Sequence, residues 1–318
     1  MNNKLIAIGE ALIDFIPEES GVSISEVSKF IPKVGGAPAN VCGAFAKLGG
    51  RASLITQLGD DPFGDKIVNE LNRYNIGLEY MFRTKKANTS LAFVALKDDG
   101  NREFSFYRKP GADMLLDESL VKEEWFNDGY ALHFCSVSLI ESPMKYAHIK
   151  AVDYALKNNM LVSFDPNLRQ AIWDDDEGLL KAVKEFMPKA HIIKISDEEI
   201  EFITGKTNMA DALEDLFVGN VELVIYTKGK DGAEVYTKKA AAIVPGETVK
   251  VVDTTGAGDA FIGSFLYELC KREISRDRLK EISESELKEI LTFSNKYCAK
   301  SIMKKGAIDS YPAAEEID

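Results

Sequence analysis

Residues 253–261, Asp-Thr-Thr-Gly-Ala-Gly-Asp-Ala-Phe, set two glycines and a carboxylate where a polar turn gives way to a long apolar run. Gly256 and Gly258 let main-chain amides come close to an anion. Residues 259–270 are apolar almost all round, which predicts a buried helix whose first N–H groups and positive dipole end face that anion. Residues 249–253 read as a strand leading into the turn. Asp259 then has two readings. Either it caps the helix, or it is a base: a carboxylate kept ionised by the dipole accepts a hydroxyl proton while adjacent amides hold a phosphoryl group in transfer. Phosphoryl transfer asks for positioning and charge neutralisation more than for a strong base, so a carboxylate of low pKa would serve.

Other chemistries are argued against. Residues 204–207, Thr-Gly-Lys-Thr, end like a phosphate-binding loop, but Ile200 stands where its first glycine belongs. No Gly-x-Gly-x-x-Gly follows a strand, which speaks against a dinucleotide-dependent dehydrogenase. Cys42, Cys135, Cys270 and Cys298 are scattered, and with three histidines in the chain a zinc site is not expected. The formal net charge is −12, with no cluster of Lys or Arg, so nucleic acid and anionic membranes are poor partners. An anionic ligand must be held by amides, single cations or a metal. The apolar run at the start of the chain is broken by Glu10 and Asp14, unlike a signal peptide or a spanning helix, so a cytoplasmic protein with reduced thiols is expected.

These residues need elements to position them. Apolar runs at 4–9, 52–59, 130–137, 160–165, 191–196 and 221–227 barely alternate, as strands buried on both faces should not. Helical stretches lie between them, at 37–49, 61–75, 142–159, 175–188 and 196–205. Their alternation predicts an α/β fold: a doubly wound, mainly parallel sheet covered by helices on both faces. Asp61 before Pro62, and Ser196 with Glu199 three residues on, read as helix starts. Residues 89–108 break the rhythm, reading as two alternating strands around an Asp-Gly turn. The polar, strand-poor segment 15–32 breaks it too. We expect these excursions to form a small β lid over 13–32 and 88–109, with 1–12, 33–87 and 110–318 as the main domain.

Residues 34–50, Val-Gly-Gly-Ala-Pro-Ala-Asn-Val-Cys-Gly-Ala-Phe-Ala-Lys-Leu-Gly-Gly, taken with 253–261, resemble the paired signatures of the ribokinase-like (PfkB) sugar kinases. Within that family, residues 9–15, 59–64, 99–113 and 164–169 look most like bacterial fructokinases. The resemblance spans nearly the whole chain and implies an ATP- and Mg²⁺-dependent kinase for a free hexose, D-fructose above others. Asp259 would then be the base, and the amides of Gly256, Ala257 and Gly258 the anion hole. Asp14, Gly35, Gly36 and Asn40 match hydroxyl-binding positions; without the resemblance Asp14 reads as a turn residue and Asn40 as a cap. Ala92 and Phe93 offer lid contacts or core packing. Arg108 and Arg169 are cations for the sugar or the transferred phosphate, or else exposed ion-paired arginines. Asp165 and Asn167 sit at a strand end where α/β crevices bind ligands.

On the nucleotide side the resemblance points to Lys194, Glu199, Thr227, Gly229, Gly232, Gly258 and Asn295. Glu199 would hold Mg²⁺ through water, and Ser196 departs from the asparagine that ordinarily opens that motif. A K⁺ site is also implied, mostly of carbonyls, at Asp253, Thr255, Ser301, Lys304, Gly306 and Ser310. Pairing of two lids would make a homodimer. Two rival functions stay open: a kinase for ribose, 2-keto-3-deoxygluconate or a nucleoside, and a sugar-binding regulator on the same fold.

Overall fold

The computed structural model describes residues 3–19, 21–96 and 102–317. Its main sheet has, among the described residues, ten strands. From one edge they run Ala241–Val244, Ala233–Thr237, Leu223–Thr227, Ile192–Ser196, Leu161–Asp165, Gly129–Cys135, Lys4–Ile8, Arg51–Gly59 and Ile76–Gly77. Met81–Thr84 also pairs with Arg51–Gly59. Pairing is parallel except for the first two strands of that order. All six strands expected from apolar runs are present, within two residues at each end.

The first strand shows why its sequence does not alternate. Leu5 and Ala7 join the core on one face, with the helices Ala37–Lys47, Ala257–Lys271 and Glu284–Ser301. Ile6 and Ile8 join the other, with the helices Pro143–Lys157 and Asp176–Phe186. Every position is therefore an inside position. This strand lies between Gly129–Cys135 and Arg51–Gly59, pairing in parallel with both.

Two helices that start at glycine turns pack together at backbone distance. A Cβ built on Gly263 of Ala257–Lys271 would stand 2.6 Å from the Ala44 Cβ and 2.9 Å from the Val41 carbonyl of Ala37–Lys47. The absent side chain is what lets the helices meet.

A second, four-stranded sheet has the order Phe30–Gly35, Leu12–Pro17, Leu91–Leu96, Arg102–Tyr107. Segment 15–32, read as strand-poor, thus contributes to two strands; its few alternating positions are completed by Phe15, which stacks on Phe93 at 4.6 Å across the parallel pair. The last two strands are an antiparallel hairpin, and the expected Asp-Gly turn between them falls at 97–101, outside the described residues.

Helix starts divide. Asp61 caps Pro62–Arg73, accepting from the amides of Phe63 and Gly64. The stretch 196–205 is helical only over Ile200–Thr204, because Ser196 ends a strand and residues 197–199 form turns beside the Glu199 carboxylate. Residues 249–253 form no strand: the Val252 and Asp253 amides both donate to the Ile302 carbonyl, at the end of the helix Glu284–Ser301.

Candidate active site

The carboxyl ends of the parallel strands open into a cleft of about 1370 Å³. Lys194, Glu199, Thr227, Gly229, Gly232, Gly258 and Asn295 all line it, so the structure gathers every residue expected on the nucleotide side. Lys194 is buried and its ammonium lies 2.9 Å from Asp165 on the neighbouring strand. Burial works against its charge, but Asp165, Glu199 and Asp259 outweigh that and raise its pKa. It is a fixed cation at the bottom of the cleft.

The Glu199 carboxylate accepts from the Leu168 amide at 2.8 Å and from the Ser196 amide at 2.9 Å. The second bond is the backbone half of a capping box, although Ser196 caps no helix with its side chain. Asn295 donates to the carbonyls of Val244 and Pro245, fixing the loop that forms the opposite wall. Gly229 and Gly232, both left-handed in φ, bracket the turn after Thr227, which the Lys228 amide closes on the Gly232 carbonyl. That segment is a hairpin turn and a cleft wall at once.

Where the cleft narrows, the helix Ala257–Lys271 begins. Gly256 is its cap at φ +72°, and Asp259 is its third residue, so Asp259 does not cap it. Its Oδ2 instead accepts from Nδ2 of Asn40 at 2.9 Å. The expectation of a low pKa is overturned: burial pushes Asp259 up to about 6, and the Asn40 hydrogen bond opposes this without cancelling it. Helix-end stabilisation is smaller than the desolvation of a carboxylate that is only 8 % exposed. Of the expected amides, Ala257 donates to the Thr254 carbonyl at 3.2 Å, while Gly258 faces the cleft 3.3 Å, at its Cβ position, from the Lys194 ammonium.

The acceptor side lies across Asp259. Asn40 is on the first turn of Ala37–Lys47, directly after Gly35 and Gly36. A Cβ on Gly35 would fall 2.0 Å from the Asp14 carboxylate, so the glycine makes room for Asp14. Ala92 pairs with Asp14 and shares its face of the small sheet, whereas Phe93 packs on the opposite face against Phe15. The Asn40 side-chain oxygen, Oδ1, is buried with no hydrogen-bond partner within the protein.

The two arginines separate. Arg169 is exposed on the rim of the cleft, near enough for its charge to lower the Asp259 pKa. Arg108 is 3 % exposed, contrary to the reading of it as a surface ion pair. Its guanidinium binds Asp113 through Nε at 2.8 Å, the Val137 carbonyl at 2.9 Å and Ser138 at 3.0 Å. Ser138 in turn donates to Glu10, whose other oxygen accepts from the Ala37 amide. Sequence reasoning missed Glu10, although a carboxylate inside an apolar run was its visible signal. Asp165 accepts from the Asn167 amide, and Asn167 lines the cleft at φ +44°.

Asp253 joins the two segments expected to hold K⁺. One oxygen accepts from the amide and hydroxyl of Thr255, the other from the Gly306 amide at 2.9 Å. Ser301 and Ser310 are buried and donate to the Cys298 and Ala307 carbonyls. The Lys304 ammonium pairs with Glu316 at 3.3 Å, and since a lysine side chain carries no oxygen, its main-chain carbonyl is the group that could face a cation. Among the described residues no three His, Cys, Asp or Glu side chains converge as metal ligands, and no helix is long and apolar enough to cross a membrane.

Comparison with known proteins assigns the chain a family and a fold. The family model described as pfkB family carbohydrate kinase matches residues 2–314. Probable fructokinase-5 of Arabidopsis thaliana is 43% identical over 309 residues, 97% of this chain and 94% of that protein. The crystal structure of a fructokinase with bound ATP from Xylella fastidiosa superposes with a TM-score of 0.92 at 30% identity, covering 100% of this chain and 97% of that one. A Vibrio cholerae O395 fructokinase in its fructose, ADP and calcium ion bound form gives 0.87 at 31% identity, with 99% and 98% covered.

Proposed function

Because this chain belongs to the pfkB family of carbohydrate kinases, we propose that it transfers the γ-phosphoryl group of ATP to a hydroxyl of free D-fructose. The observation that carries this reading is the Asn40–Asp259 hydrogen bond, which joins the helix after Gly35 and Gly36 to the helix whose first residues, Ala257 and Gly258, line the cleft. Relatives and solved structures that bear the name fructokinase support the choice of sugar.

Asp259 takes the hydroxyl proton. With a pKa of about 6 it is ionised at neutral pH, and it is a better proton acceptor than an ordinary surface aspartate. Asp14 and Asn40 orient the sugar, and Gly35 and Gly36 keep its wall close. Lys194 and the amides of Gly256, Ala257 and Gly258 meet the phosphoryl group as its charge redistributes, with Arg169 at the rim. Arg108 contributes to the acceptor side from behind, through Ser138 and Glu10. Asn295, Thr227, Gly229 and Gly232 form the walls around the rest of the nucleotide.

Glu199 suits a water-mediated Mg²⁺ contact, since each of its oxygens already accepts a backbone amide. When bound, Mg²⁺ supplies neutralisation of phosphate charge. The Asp253-braced segments suit a monovalent cation held by carbonyls of Thr255, Ser301, Lys304, Gly306 and Ser310. We also propose a homodimer through the small sheet, where Tyr107 is 65 % and Ile31 40 % exposed, in the cytoplasm. Sedimentation should then give twice 35.2 kDa, and a single-chain mass at micromolar concentration would refute it.

The deciding experiment is kcat/KM across free sugars and nucleosides, with ATP, Mg²⁺ and K⁺ omitted in turn. Fructose should rank first and turnover should vanish without ATP or Mg²⁺. Ribose, 2-keto-3-deoxygluconate or a nucleoside ranking far above fructose would overturn the substrate, and sugar binding without turnover would favour a regulator.

A further inference from the structure

The left-handed Gly256 turn is held from outside its own helix. The Gly256 carbonyl accepts two hydrogen bonds, one from the Ala260 amide at 2.8 Å, as any helix start requires, and one from the Tyr311 hydroxyl at 2.8 Å, 55 residues further on. We propose that Tyr311 is a positioning residue for the transferred phosphoryl group, its buried hydroxyl setting the peptide plane between Gly256 and Ala257. The proposal rests on the reading of this turn as the element that holds that group.

A peptide unit is rigid, so fixing the Gly256 C=O also fixes the direction of the Ala257 N–H, which closes the turn on the Thr254 carbonyl at 3.2 Å and belongs to a residue lining the cleft. A carbonyl held by one donor can still rock about the bond; a second donor from a different direction removes that freedom. Tyr311 is well placed to be the second. It is 1 % exposed, and burial, together with the Asp259 carboxylate nearby, drives its pKa well above the ordinary phenol value, so it remains a donor at every working pH. Its main-chain carbonyl accepts from the Lys47 ammonium at 3.0 Å, at the end of the helix that carries Asn40. Tyr311 thus references the phosphate-facing turn to the acceptor-side helix.

The fit explains Gly256 twice over. At φ +72° a side chain would be strained, and a Cβ there would lie 2.5 Å from the Tyr311 oxygen. The hydroxyl occupies the space that a larger residue would need.

Amides aimed in advance at developing charge act mainly on the transition state. Tyr311→Phe keeps the ring and removes only the donor, so kcat should fall about 3- to 10-fold while the KM for fructose stays within about twofold. Binding of MgADP with fluoroaluminate in the presence of fructose should weaken by the same factor, and MgADP alone should bind as before. Tyr311→Leu, which also removes the ring, should lose thermal stability as well. If Tyr311→Phe matches the parent in kcat and in fluoroaluminate complex affinity, or loses kcat only in proportion to its folded fraction, the tyrosine is a packing residue and the proposal fails. Asp259→Asn, run alongside, separates the two levels. Turnover abolished there with Tyr311→Phe unchanged rejects Tyr311 alone, whereas full turnover in Asp259→Asn rejects the reading of the turn itself.

Discussion

Two glycine turns feed two buried helices in contact with each other, and Gly35 of one and Gly258 of the other are glycine for opposite reasons. At the acceptor side the space is taken by the protein. A Cβ on Gly35 would collide with the Asp14 carboxylate, and one on Gly36, at φ +108°, would stand 2.4 Å from the Glu10 carbonyl. At the phosphate side Gly256 is crowded by the Tyr311 hydroxyl, but the space at Gly258 is left for something else. A Cβ on Gly258 meets only the Lys194 ammonium at 3.3 Å, the far end of a flexible side chain, and otherwise points into the cleft. A glycine pattern near a helix start therefore signals close approach without saying whether the approaching group is protein or ligand.

Substitutions can break that contrast. The largest effect should come from Asp259→Asn, which leaves both turns intact and removes the base between them: kcat should drop by about 10²- to 10⁴-fold, with fructose binding largely retained. The same variant should be more stable at neutral pH. The folded-state pKa of Asp259 is raised from 3.8 to about 6, so keeping it ionised in the fold opposes folding above pH 6, and that opposition fades as pH falls through 6 towards 4. A melting temperature below that of the parent at pH 7.5 would contradict the sign.

Next comes Gly35→Ala, which must displace Asp14. The KM for fructose should rise about 10- to 100-fold with the ATP KM nearly unchanged. Gly258→Ala should do the reverse and more gently, raising the ATP KM about two- to fivefold while sparing fructose. Equal effects of the two alanines on both substrates would erase the distinction between filled and reserved space. The smallest change sharpens the bridge between the turns. The acid limb of the kcat/KM profile should lie near pH 6, and in Asn40→Ala it should move to higher pH, because the lost donor stabilised the ionised carboxylate. A limb that stays in place or moves down would detach Asn40 from Asp259.

The sheet was legible because strands buried on both faces write themselves as unbroken apolar runs, and Leu5 to Ile8 need no context to be read that way. The same rule misled at 249–253. Valines there satisfy strand propensity, but Val251 and Val252 are 55 % and 48 % exposed and their segment is tied to the end of a helix, which no local pattern records. The nucleotide side was reached through the resemblance to the sugar kinases, because Lys194 inside a strand and Asn295 inside a helix carry no local signal of their own. The burial of Arg108 was not legible, because it depends on Asp113, Ser138 and Glu10 meeting from three separate elements. Nor was the raised pKa of Asp259. A dipole is implied by a helix start, but the depth of burial is set by everything packed above it.

The contact at Gly263 has a bearing on how such a catalyst can change. Because the helices carrying Asn40 and Asp259 touch through main-chain atoms and a bare glycine, the spacing between acceptor and donor is inherited from backbone geometry and owes nothing to the side chains that choose the sugar. Substrate preference can drift in the walls while alignment stays put, and a single branched residue at 263 would spoil alignment for every sugar alike.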